Sequence, residues 1–177
     1  MKKIISLVFV CILILSMCAC NAQPKLVDTD SAESTTTTSA TSGSGLVFKP
    51  GDTAVLNGVT VNFIGVQTST GSEYNTPAEG KVFVLCEFEI TNGTSEDLVV
   101  SSIMNFQGYC DDYACEFSLG ALMEKGDKTQ LDGTIATGKK LKGVLGYEVP
   151  TDWKELEITY TPDILSDSKF VFVATNN

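Results

Sequence analysis

The chain has 177 residues, with 12 lysines and no arginine, 22 acidic side chains, no histidine, six cysteines and one tryptophan, for a formal charge of −10. Without histidine there is no Ser-His-Asp or Cys-His nucleophile system and no His-containing zinc site, and without arginine there is no bidentate clamp on phosphate or carboxylate. A chain this acidic is repelled by nucleic acid and by anionic headgroups, so no nucleic-acid partner is expected.

Lys2 and Lys3 precede Ile4 to Met17, a mostly apolar run without a charge. A bilayer core takes about 20 residues and a signal h-region about 7 to 15, so the run reads as a signal peptide over residues 1–19. The alternative, an uncleaved membrane anchor, reaches spanning length only if the flanking Cys-Ala-Cys is counted. The run ends in LSMCACN, which resembles the lipobox of bacterial lipoproteins. That resemblance implies that a cysteine thiol receives a diacylglyceryl group and becomes the mature N-terminus. Cys20, preceded by the small Ala19, fits better than Cys18, preceded by Met17. Two acyl chains of the palmitate type give stable anchoring where one does not. The expected location is the extracytoplasmic face of a bacterial membrane, and loss of Lys2 and Lys3 takes the charge to −12.

Residues 20–45 are expected to be a lipidated cysteine followed by a disordered tether. Between Ser31 and Gly45, 10 of 15 residues are Ser or Thr, with no aromatic and no large apolar side chain. Such a stretch buries too little surface to offset its ordering entropy. As a coil, the segment from Asn21 spans roughly 25 to 30 Å on average. It reads as a solvated spacer, with glycosylation as the alternative.

Residues 46–177 suffice for one domain, and their hydrophobic period is two. In KVFVLCEFEITN, Val82, Val84, Cys86, Phe88 and Ile90 share one face, while Phe83, Leu85, Glu87 and Glu89 share the other. Asn57-Gly58 between two apolar runs is a hairpin signal, because both turn positions must accept positive φ. Nine strands are predicted, near 53–56, 59–67, 81–91, 98–107, 115–119, 129–136, 140–149, 155–161 and 169–174, with at most one helical turn at Ala121 to Lys125. The fold class is all-β, an antiparallel sandwich.

The segments PGDTAVLNGVTVNFIGV, KVFVLCEFEITN and GTIATGKKLKGVLGYEVPTDWKELEITYTPD carry a further resemblance. The region from Phe48 to Thr175 resembles Gram-positive surface lipoproteins whose single Ig-like domain, of unknown function, is related to the mycobacterial immunoprotective extracellular antigen. Gly138, Gly143, Gly146, Glu148, Val149 and Pro150 match the family's glycine-bearing turn and following strand. The resemblance implies an immunoglobulin-like β-sandwich, surface display and no established catalytic activity. It brings no functional residues.

Among candidate sites, Cys110 and Cys115 bracket Asp-Asp-Tyr-Ala. If that tetrapeptide tops a hairpin, their Cα atoms approach the roughly 5.5 Å a disulfide prefers; a disulfide and two free thiols both stay open. Cys86, on an apolar strand face, reads as a buried small hydrophobe. Asp111, Asp112 and Glu116 form an acidic cluster, as do Asp163 and Asp167, without the ladder of a calcium loop, so no metal site is expected. Lys139, Lys140 and Lys142 read as protection of a strand edge. Asp111, Asp112, Tyr113 and Trp153 could form a binding surface, with the competing reading that Trp153 closes the core. There is no Gly-rich phosphate loop, and neither a cofactor nor catalysis is expected.

These readings converge on a membrane-anchored protein whose sandwich binds an envelope protein or an extracellular ligand. The alternatives are a cation- or glycan-binding envelope protein using the acidic loops, and a purely structural envelope component.

Overall fold

The computed structural model describes residues 23–27, 46–165 and 167–176. The signal peptide, Cys20 and the Ser/Thr tract lie outside the described residues.

Two sheets pack face to face as the expected all-β sandwich. Sheet A has the order β1(Lys25–Leu26), β3(Thr53–Leu56), β4(Val59–Ser69), β5(Lys81–Asn92), β10(Lys140–Pro150). Sheet B has the order β2(Val47–Phe48), β12(Phe170–Thr175), β11(Glu155–Tyr160), β7(Phe106–Cys110), β8(Tyr113–Cys115). All pairings are antiparallel except β2 on β12. A separate ribbon joins β6(Leu98–Val100) to β9(Gly133–Ile135), and a short helix, α1(Leu119–Met123), lies against β10.

Alternation builds the core. The inward faces of β4 and β5 bring Phe63 and Phe88 into a stack with centroids 4.6 Å apart. Phe172 of sheet B meets Phe88 edge-on at 5.2 Å, and Phe106 stacks on Tyr160 at 4.4 Å. Such offset and T-shaped contacts suit the ring quadrupole. The second face of β5 is covered by α1 where it is apolar: Leu85, Val144 and Leu122 form a small outer cluster. Where it turns acidic, Glu87 meets Lys128 at 2.8 Å and Lys142 at 3.0 Å, and Glu89 meets Lys140 at 2.8 Å. β10 ends sheet A, but Thr129 and Leu131 bond to its outer edge at Lys142 and Val144, so protection of an open edge is not what Lys142 does there; Lys140 and Lys142 are ion-pair partners of Glu89 and Glu87.

Four local expectations change. The strand predicted over 98–107 is two strands, because Ser101, Ser102 and Asn105 spend their side chains on a turn. Asn105 Oδ1 accepts from the Ser101 amide, and Asp132 accepts from both the amide and hydroxyl of Ser102. The strand predicted over 115–119 lies earlier, at Tyr113–Cys115, because the hairpin turn is shorter than the sequence suggested. The helix starts at Leu119, where the Ser118 hydroxyl caps it by accepting from the Ala121 amide. Finally, Lys25 and Leu26 fall within the stretch expected to be tether, yet pair with Val55 and Ala54 on the open edge of β3. Backbone hydrogen bonding to an unpaired strand edge holds them, with the Val27 amide donating to the Thr53 carbonyl at 2.9 Å.

The strand directions define two ends. The turn Asn57-Gly58, the start of β10, the turn 101–105 and the described residues of the connection 161–169 lie at one end. The turn Asp111-Asp112, the connection 70–80, α1 and the segment 150–154 lie at the other, about 30–35 Å away along an 11-residue strand.

Candidate functional site

The hairpin of β7 and β8 turns on two residues, Asp111 and Asp112, both at positive φ (48° and 68°). That geometry matches the twist of the flanking strands. Asp111 is fixed further: its carboxylate accepts from the amides of Lys154 (3.0 and 3.1 Å) and Glu155 (2.8 Å). The turn is thereby bolted to the start of β11.

A two-residue turn makes Tyr113 the partner of Cys110 and Gly108 the partner of Cys115. The two cysteines are diagonal neighbours, for which Cα separations of about 7–8 Å are usual, beyond the 4.4–6.8 Å of a disulfide. Of the two alternatives left open by the sequence, the structure has Cys110 and Cys115 as free thiols. The short turn is the reason. Burial pushes the Cys115 thiol up to about 11 and raises Cys110 as well. Both are protonated and weakly nucleophilic at neutral pH. Cys86 is fully buried, as the strand alternation implied, and burial raises its thiol strongly.

Trp153 does not join a binding surface. It is 2% exposed and plugs the core where β10 ends and β11 begins. Tyr113, in contrast, is 80% exposed. Its strand β8 is the outermost of sheet B, and β10 is the outermost of sheet A. Between these edges lies a groove of about 910 Å³, bordered by Tyr113, Cys115, Leu119, Glu148, Pro150 and Lys81. Leu119 is 70% exposed. The Lys81 ammonium faces Glu148 at 3.8 Å, and Glu148 also accepts from the Ala78 amide.

Gly146 shapes one wall. A Cβ there would lie 2.8 Å from the Ala121 Cβ and 3.0 Å from the Ser118 carbonyl oxygen, so only glycine lets the helix cap sit on β10. The Phe117–Tyr147 bridge and the bond from the Ser118 amide to the Gly146 carbonyl tie the helix's approach to the same strand.

Sequence reasoning found Tyr113 and the acidic turn but missed Leu119, Lys81 and Glu148. The signal for Leu119 was available, since Ser118 is a helix N-cap residue that a strand reading of 115–119 overlooks. Lys81 opens β5 and Glu148 lies near the end of β10, so they meet only through the antiparallel β5–β10 register.

The acidic residues converge less than their spacing suggested. Asp111, Asp112, Glu155 and Glu157 line a small cleft of about 260 Å³, where Asp111 already holds three backbone bonds. Among the described residues, no group of three or more His, Cys, Asp or Glu side chains is placed to hold a metal ion. No helix among them is long and apolar enough to cross a membrane.

Residues 48–170 match the model of a family described as a domain of unknown function, DUF4352. The chain belongs to that family. No curated protein matches the chain. Among solved structures, this DUF4352 chain is similar to yjhA of Bacillus subtilis, with a TM-score of 0.57 and 18% identity, covering 71% of this chain and 97% of that one. It is similar also to ycdA of Bacillus subtilis, described as a lipoprotein candidate, with a TM-score of 0.56 and 20% identity over 66% of this chain. The chain spans about a third of the ycdA structure's length (36%). These likenesses concern the fold. The DUF4352 match begins at β2, so the strand Lys25–Leu26 lies ahead of it.

Proposed function

We propose that this DUF4352 protein is a lipid-anchored extracytoplasmic binding module, and that its ligand seat is the groove between β8 and β10. The observation that carries the reading is the pairing of an exposed aromatic and an exposed aliphatic side chain, Tyr113 and Leu119, over a groove that separates two sheet edges. A tyrosine anchor and an outermost strand such as β8 are both favourable for holding an extended stretch of another protein, whereas the β10 edge is already bridged by Phe117 and Gln130. Anchoring through Cys20 is supported by the signal-like run, by the lipobox resemblance and by the likeness to ycdA.

The reading is non-enzymatic. The thiols beside the groove are protonated at neutral pH, and the Asp111 carboxylate is occupied by backbone amides. Cation or glycan binding by the acidic turn is disfavoured by the same occupation of Asp111.

A benzophenone side chain in place of Tyr113, in the anchored chain on living cells, should give a discrete protein adduct that is lost with Leu119→Glu. The same probe at Gln67, exposed on β4, should not give it. Equal adducts from both positions, or none from position 113, would remove the groove as a ligand seat and favour a structural envelope role. Absence of acylation at Cys20, read as the mass of the mature N-terminus, would remove the anchor.

A further inference from the structure

The strand Lys25–Leu26 has a direction as well as a register. Lys25 pairs with Val55 and Leu26 with Ala54. Going backwards from Lys25, the chain therefore runs towards Leu56 and the Asn57-Gly58 turn. Gln23 lies at that end of the sandwich, and only three residue steps separate it from Cys20. Three steps reach at most about 10–11 Å, whatever their conformation. A thiol acylated at Cys20 therefore lies close under this end of the domain, in place of the longer separation that a tether of 25 free residues would allow.

The same end is tipped with aliphatic side chains. Ile103 and Met104 are each 69% exposed, Ile164 is 60% exposed and Leu165 93% exposed. They project from two connections that brace each other. The Asn105 amide group donates to the Thr161 carbonyl at 3.0 Å, and the Thr161 amide donates to the Asn105 carbonyl at 2.9 Å. The Leu165 amide donates to Asp163, and Ser102 is held by Asp132 and Gln130. Beside these tips runs a groove of about 710 Å³ that reaches Leu56 and Asn57, where the incoming strand points. Charge at this end is mixed, with Glu96, Asp97, Asp163 and Asp167 set against Lys139 and Lys169. Attraction to anionic headgroups is therefore not the driving term.

We propose that this end of the sandwich rests on the bilayer that holds Cys20, with Ile103, Met104, Ile164 and Leu165 entering the boundary between headgroups and acyl chains. The inference rests on the anchoring reading above. The occupant is set by where the chain outside the domain ends: an anchor within about 10–11 Å makes lipid the nearest apolar phase. Burial of a few aliphatic side chains is weak alone, but the anchor keeps the tips at the surface, where each contact is effectively intramolecular. The groove at Tyr113 then faces away from the membrane, lifted by the length of the strands.

The test uses the full mature chain, acylated and reconstituted in phosphatidylcholine vesicles with brominated acyl chains. Trp153 is buried at the far end and serves as an internal background. Leu165→Trp and, separately, Ile103→Trp should show blue-shifted emission and lose most of the added signal to bromine, with little change between low and high salt. Tyr113→Trp should keep a water-like, unquenched signal. If Leu165→Trp and Ile103→Trp stay water-like on a chain whose Cys20 is verified as acylated, the orientation is wrong and the anchor stands. If they are blue-shifted but unquenched, a protein surface covers the loops and the bilayer assignment falls. If Cys20 carries no lipid, both readings fall together.

Discussion

The two ends of the sandwich are built by different means. At the end where the chain enters, a buried amide organises the turns: Asn92 donates to the carbonyls of Glu96 and Ile135, each at 2.7 Å, and accepts from the amide and hydroxyl of Thr94. At the far end, close packing does the work: Gly146 admits α1, Trp153 fills the core, and Asp111 bolts one turn to the next strand. Their exposed apolar residues also differ. The first end shows Ile103, Met104, Ile164 and Leu165, whereas the second adds Tyr74 and Tyr113 to Leu119 and Met123. Aliphatic tips suit lipid, and amphipathic rings suit a protein partner. On the functions proposed for its two ends, the fold would separate attachment from recognition by the length of its strands.

The sharpest way to break that contrast is Asn92→Ala. It removes the donor to the Ile135 carbonyl and the acceptor of the Thr94 amide at a fully buried position, while the Glu96 carbonyl keeps the Thr94 hydroxyl, and unsatisfied buried groups cost about 1–3 kcal/mol each. A loss of about 3 kcal/mol is expected in urea unfolding, with the turns 93–97 and 136–139 first to lose hydrogen-exchange protection. Gly146→Val attacks the other end by overpacking. It should cost about 2–3 kcal/mol and loosen α1 selectively. If both variants loosened the same segment, the two ends would not be independent structural units.

How much of this was legible in the sequence follows from which interactions are local. The strands β3, β5 and β10 begin where the alternation and the turn residues place them, because period-two patterning and Asn-Gly turns act within a few residues. The aromatic stack across the sheets follows from that alternation. The groove was half legible. Tyr113 stood out as an aromatic beside an acidic turn, but its opposite wall depends on the β5–β10 register and on Gly146, which are long-range facts. The state of the cysteine pair was left open for a local reason: two aspartates can themselves take positive φ, and the turn closes one pair sooner than the Cys–Cys spacing shows. Lys25–Leu26 was illegible because two residues pairing with a strand edge leave no periodic trace.

Asp111→Ala should cost about 1–2 kcal/mol by releasing the Lys154 and Glu155 amides, which thermal melts can read. Asp111→Asn keeps an acceptor and tolerates positive φ, so it should lose less. Its effect should be confined to the far end, leaving quenching at Leu165→Trp unchanged.

The pH dependence should have two limbs. Hydrogen bonding to Lys128, aided by Lys142, holds the Glu87 carboxyl below its ordinary 4.5. A depressed folded value contributes stability above the unfolded value, and that contribution is lost as pH falls through the folded one. Glu87→Gln should therefore flatten the acid limb below about pH 5 in a melting-temperature profile. Cys115 gives the opposite sign. Burial raises its thiol from 9.0 to about 11, so its contribution is complete below 9 and fades as pH rises towards 11. Cys115→Ser should flatten that alkaline limb in the same profile, and a limb unchanged by it would assign the alkaline loss to Cys86 and the buried tyrosines.

The smallest effect expected is in the core just beneath the entry end, where β11 finishes. Tyr160 is fully buried in the aromatic stack, yet its hydroxyl has no hydrogen-bond partner among the described residues. A buried hydroxyl without a partner costs about 1–3 kcal/mol on mutational scales, whereas the ring's contacts with Phe106 and Phe170 survive its removal. Tyr160→Phe should therefore be neutral, or stabilising by up to about 1 kcal/mol, while Tyr160→Leu, which loses the stacking, should destabilise. A clear loss in Tyr160→Phe would mean that the hydroxyl is satisfied in solution, and that the connection 161–169, whose tips we place on the bilayer, packs more closely over the core than the aromatic stack alone requires.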